Sequence, residues 1–129
     1  MRGGASMAMT FQGATGVPVD VLFEMDSGCN AQYSVLVSSD PAAQPDDHGG
    51  SQAAQQTFDL DLADGLSTVD FVATPLCPTA ASANLRITVS QNGNPLTPLA
   101  TNDPSGNPAV INGLASKAPT PGSLDVNLT

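Results

Sequence analysis

The sequence predicts an all-β domain, an antiparallel β-sandwich of about seven or eight short strands. Three observations predict it. Apolar residues recur at every second position in short runs along most of the chain. Turn dipeptides such as Asp64-Gly65 and Asn92-Gly93 separate those runs. Finally, 12 glycines and 11 prolines among 129 residues interrupt the chain too often for long helices.

Residues 1–15 read as a flexible or tag-like leader. They open with "MRGGASMAMT", which carries a positive charge but lacks the apolar stretch of a signal peptide. Residues 16–129 then form a single domain. The first run, "VPVDVLFEMD" (17–26), places Val17, Val19, Val21, Phe23 and Met25 on one face. Asp20, Glu24 and Asp26 fall on the other. After the turn "SGCN", the run "AQYSVLVS" (31–38) turns Ala31, Tyr33, Val35 and Val37 inward. The two runs are expected to pair as a hairpin.

Residues 39–56, "SDPAAQPDDHGGSQAAQQ", have no apolar period and contain Pro41, Pro45 and Gly49-Gly50. They read as a long polar loop, a candidate contact surface with Asp46, Asp47, His48 and Gly49 at its tip. Asp46, Asp47, His48 and Ser51 include the letters of a hydrolytic triad. One Gly-rich loop does not hold such groups on separate rigid elements around an oxyanion hole, so a solvated histidine is expected.

The stretch "TFDLDLADGLST" (57–68) admits two readings. Asp59, Asp61 and Asp64 could line a calcium loop. A dedicated loop needs oxygen ligands at its first, third and fifth positions and a glycine at the sixth. Counted from Asp59, the fifth position is Ala63, and Gly65 comes one place late. The alternation of Phe58, Leu60 and Leu62 with Asp59 and Asp61 accounts for every residue as a strand entering an Asp-Gly turn. The next run, "STVDFVATPL" (67–76), turns Val69, Phe71 and Ala73 inward, so a hairpin is expected here. Weak calcium binding by the exposed aspartates is compatible with this reading, without a dedicated cage.

Further along, "ANLRITVS" (83–90) turns Leu85, Ile87 and Val89 inward and Arg86 outward. Asn92-Gly93 then favours a type I′ turn, because both residues tolerate positive φ. The return run "PLTPLAT" contains Pro95 and Pro98, which confine it to a sheet edge. Residues 102–122 read as a second loop-rich segment. The final run, "SLDVNLT", turns Leu124, Val126 and Leu128 inward.

Cys29 and Cys77 are the only two cysteines. In a Lys-poor, β-patterned chain they are read as one disulfide formed in an oxidising compartment. Their positions carry a topological consequence. Each follows the end of a strand, and in a plain meander those ends lie too far apart to bridge. A disulfide therefore requires segment 39–56 to cross from one end of the molecule to the other, in the manner of a Greek key. The segment is long enough, since extended chain covers ~3.3 Å per residue.

The alternating runs across residues 17–99, with this pair of cysteines, resemble the immunoglobulin-like β-sandwich modules of bacterial surface and secreted proteins. The resemblance is to the fold and implies a binding or structural role outside the cytoplasm. The chain departs from true immunoglobulin domains in having no tryptophan and in placing Cys29 beside a turn.

Charge narrows the functional classes. Twelve acidic residues oppose three basic ones, for a formal net charge of −9. Nucleic-acid binding is not expected, since phosphate recognition needs clustered Lys and Arg. No run approaches the ~18 apolar residues of a membrane helix. No phosphate-binding, dinucleotide-binding or nucleophile-elbow motif is present, and no cofactor is expected. The chain reads as a non-enzymatic, extracytoplasmic (periplasmic, cell-surface or secreted) binding module presenting loops 39–56 and 102–122 to a protein partner. The alternatives are a self-assembling subunit of a surface appendage or particle, and a calcium-binding or hydrolytic protein using its acidic loops.

Overall fold

Alternation along the chain becomes burial along the strands. The computed structural model describes residues 9–37, 54–98, 107 and 109–129. In order, the strands are β1 (Met9–Gly13), β2 (Val19–Met25), β3 (Asn30–Val37), β4 (Gln55–Leu60) and β5 (Gly65–Leu76). They continue as β6 (Ser82–Gln91), β7 (Asn94–Pro95), β8 (Thr97–Pro98), β9 (Ala109–Ala115) and β10 (Thr120–Leu128). The inward residues of the alternating runs, from Val19, Val21 and Phe23 to Leu124, Val126 and Leu128, are buried. Phe23 lies at the centre of the core, stacked on Tyr33 and packed edge-on to Phe58, with Phe71 tilted against it. With no Trp and four Phe, this one aromatic cluster is surrounded by Val, Leu, Ile and Ala.

The strands form two sheets. One has the order β3-β5-β10-β1-β8. The other runs β4-β2-β6-β7, with β9 also paired to β6. Pairing is antiparallel except between β1 and β10, which run parallel from Met9↔Leu124 to Gly13↔Leu128. The protein is thus all-β, with its apolar core between two mostly antiparallel sheets.

Several sequence expectations change here. β2 and β3 do not form a hairpin; they lie in different sheets. The same is true of β4 and β5, so the Asp64-Gly65 turn carries the chain between sheets. The local turn chemistry is nevertheless as expected. Ser27 and Gly28 both have positive φ (62° and 72°), as does Gly65 (88°). Period two tells which face of a strand is buried. It does not tell which strand lies alongside, because in a two-layered core both sheets face the same interior. The Asn92-Gly93 hairpin does form, with φ of 51° and 79° and pairing of Gln91 to Asn94. The Pro95/Pro98 run is at the edge in both sheets, ending one as β7 and the other as β8.

Two expected irregular segments contain strands. Residues 9–13, assigned above to a leader, form β1 and bury Met9 and Phe11. Two apolar residues in a five-residue strand are too short a signal to read. Part of segment 102–122 is also extended: β9 and the first residues of β10 lie within it. β9 was obscured by a register shift opposite Ala83/Leu85 and by Gly113 at φ 75°. β4 begins at Gln55, inside the segment read as loop 39–56.

The crossover required by the cysteines is present. β3 ends at Val37, opposite Val69, whereas β4 begins beside Glu24 at the other end of the molecule. The two strand ends that flank residues 38–53 thus lie at opposite ends of the sheets, and Cys29 and Cys77 meet with Cα atoms 4.4 Å apart and sulfurs bonded. The β3–β5 register runs to Asn30↔Leu76, so the disulfide occupies the next rung of that ladder. A Cα separation this short is that of a non-hydrogen-bonded pair.

Candidate functional site

Buried polar side chains show where the fold is held and where it is free to do something else. Gln91 is 8% exposed. Its Oε1 accepts from the Ala14 N–H at 2.9 Å, while its Nε2 donates to Ala14 O and Val17 O at 2.9 and 3.0 Å. One carboxamide thus satisfies the backbone of the β1–β2 turn. Gly13 lies directly beside it: a Cβ there would come within 2.9 Å of Gln91 Oε1.

Asn107 does a similar task where the chain leaves one sheet for the other. The Val89 N–H donates to its Oδ1 at 3.1 Å, and its Nδ2 donates to Val89 O and Leu96 O at 2.7 and 2.8 Å. The Leu96 N–H also donates to Val89 O, at 2.9 Å. The carboxamide is therefore wedged into the rung that β7 abandons as it turns into β8.

A third polar cluster joins β2, β6 and β9. Asp26 Oδ1 accepts from the Asn84 N–H at 2.7 Å and the Ser27 hydroxyl at 3.0 Å, and its Oδ2 accepts from Asn84 Nδ2 at 3.1 Å. Asn84 Oδ1 in turn accepts from the Gly113 N–H at 3.0 Å. The backbone hydrogen bond from Asn84 is the main reason the Asp26 carboxyl lies below its ordinary value of 3.8, helped by Ser27, the Asn84 side chain and Arg86 and opposed by desolvation. Each of these clusters spends its donors and acceptors within the protein, the first two wholly on backbone and the third on backbone and neighbouring side chains. Tyr33, its pKa raised by desolvation and then by Glu24, keeps its proton and donates it to Ala54 O at 3.0 Å.

The outer face of the β3–β5–β10 sheet is different. It carries an open groove of about 510 Å³ lined by Ser34, Leu36, Asp70, Val72, Pro121 and Gly122, together with Val35 and Phe71. Leu36, at 45% exposure, pairs across the strands with Asp70, and Val72 sits between Ser34 and Pro121. Gly122 occupies an inward position opposite Phe71, where a Cβ would fall 2.5 Å from the ring. The phenyl ring takes the space of the missing side chain. Three rungs along the same ladder, Asp125 accepts from the Thr68 hydroxyl at 2.8 Å.

The residues singled out from sequence are dispersed. Asp46, Asp47, His48, Gly49 and Ser51 lie outside the described residues. Asp59 is exposed on β4 directly opposite Asp20 on β2, while Asp61 and Asp64 are exposed in the link to β5. Among the described residues, no group of three or more His, Cys, Asp or Glu side chains is placed to hold a metal ion. Sequence reasoning did not identify the groove, although a signal existed. Val35-Leu36-Val37 and Phe71-Val72-Ala73 are uninterrupted apolar triplets inside otherwise alternating strands, and each puts an aliphatic side chain on the wet face.

No protein-family model, curated protein or solved structure matches the chain.

Proposed function

We propose that the protein is a non-enzymatic binding module of an oxidising, extracytoplasmic compartment, with an immunoglobulin-like or Greek-key arrangement as the finer description of its sandwich. The observation that carries this reading is the Cys29–Cys77 bond, which closes the β3–β5 ladder in register. Such a bond persists where thiols are not kept reduced. The clustered polar side chains support it as well, because those of Gln91, Asn107 and Asn84 are spent on holding backbone geometry. That is the behaviour of a rigid scaffold whose surfaces do the work. Contacts to a protein partner are proposed for segment 39–56, with Asp46, Asp47, His48 and Gly49, and for the outer face of the β3–β5–β10 sheet.

The compartment is tested by acid quenching of the native cells followed by thiol alkylation and mass measurement. A bridged protein takes up no label; two labelled cysteines would place it in a reducing compartment and end this reading. Self-assembly is the second reading, favoured by the aliphatic side chains of the groove. Sedimentation over a range of concentrations separates the two. A binding module keeps a constant mass, and a structural subunit grows.

A further inference from the structure

We propose that the groove on the outer face of the β3–β5–β10 sheet docks an extended, cationic polypeptide segment bearing aliphatic side chains. The proposal rests on the binding-module reading above and names its surface and the chemistry of its partner.

The first argument is apolar area in the wrong place. Leu36, Val72 and Pro121 are neighbours in the middle of a sheet face whose other residues are mostly Ser, Thr, Asn, Gln and Asp, with Leu66 and Leu76 at the two ends of β5. Alternation exists to put such side chains inside, and here it is broken on two adjacent strands at diagonal positions. Contiguous apolar surface of this kind marks contact sites on soluble proteins.

The second argument is charge. Asp70 is part of the groove lining, and Asp125 lies two rungs further along, on the same face. The groove lining has no basic side chain. Arg86 is on the opposite sheet, and Lys117 lies in the turn whose N–H donates to Pro75 O at the disulfide end. A second copy of this chain would bring its own charge of −9 to an acidic surface. A basic partner gains where a copy is repelled.

The third argument concerns shape. Among the described residues, β3 has β5 as its only ladder partner. The disulfide rung is non-hydrogen-bonded, so Asn30, Gln32, Ser34 and Leu36 bond to β5. Ala31, Tyr33, Val35 and Val37 direct their N–H and C=O groups to the other side. A segment extended along β3 would pair with these groups and lean every second side chain towards Leu36.

The test uses the oxidised, ¹⁵N-labelled protein and two synthetic peptides, one alternating valine and lysine and one alternating valine and glutamate. The lysine peptide should give saturable amide shifts at residues 34–36, 70–72 and 121–123. Asp70→Asn should weaken it about fivefold, and added salt should weaken it further. Val72→Glu should abolish it while leaving the spectrum dispersed; Leu36→Ser serves if that variant fails to fold. Equal binding of the glutamate peptide, or shifts spread over the surface without saturation, overturns the proposal. Saturable shifts elsewhere overturn the groove and leave the binding-module reading standing. Concentration-dependent shifts at the groove without peptide would mean that a second copy covers it, and both readings would fall.

Discussion

Asp26 shows how one exposed carboxylate can matter to a fold. It accepts hydrogen bonds from Asn84 and Ser27, and Asn84 passes the connection on to Gly113. The Asp26 pKa is lowered in the folded state, chiefly by the Asn84 backbone N–H. A carboxyl shifted in this direction adds stability that is complete above its unfolded value of about 3.9. That stability is lost as pH falls through the folded value. The Asp26→Asn variant lacks this component, so its denaturation midpoint should fall less steeply below about pH 4. Urea titrations of both proteins across the acid range measure it, and parallel curves would remove Asp26 from the account. None of this was legible in the sequence. Asp26 reads there as one more outward aspartate, and its partner is 58 residues away. The same holds for Gln91, whose three backbone partners lie more than 70 positions upstream.

Strands and turns were more legible than their partners. The inward faces of β2 through β6 and of β10 follow from alternation, and the type I′ turn at Asn92-Gly93 follows from residue type. Neighbours in space do not follow, because the same turn residues serve a hairpin or a passage between sheets. The passage from β7 to β8 shows what such a change of sheet requires. Where the rung between Val89 and Leu96 opens, Asn107 supplies the missing donor and acceptor. Asn107→Ala should leave the Val89 N–H and the Leu96 C=O without their partner at a cost of about 1–3 kcal/mol. Hydrogen exchange should accelerate at Val89 and Leu96 while the β3–β5 ladder stays protected. Uniform acceleration throughout would contradict a local role. Opposite this edge, Asp20 and Asp59 face each other across β2 and β4. Like charges so placed weaken a sheet slightly and help to keep an edge strand such as β4 from pairing with another molecule.

At the scale of the molecule, the chain changes sheet at every link except β6 to β7. Nearly all stabilising pairs are thus distant in sequence, which predicts refolding in milliseconds to seconds. The disulfide offsets part of the entropy. It closes a separation of 48 residues, and its loss should cost about 4 kcal/mol in the chain-entropy model. Urea unfolding of the oxidised protein against a Cys29→Ser/Cys77→Ser variant measures this; equal stability would mean that the ladder holds without its last rung. The crossover was legible because two cysteines had to meet. The exchange of strands between layers had no such marker.

The position of β10 has a consequence for biosynthesis. It is the last of the described strands in chain order, yet it occupies the middle of its sheet, between β5 and β1. Until Leu128 has cleared the ribosome, β3–β5 and β1–β8 are two fragments with no seam between them. The nascent chain cannot complete this sheet before β10 is available. A product that stops short of residue 120 has no route to the native state.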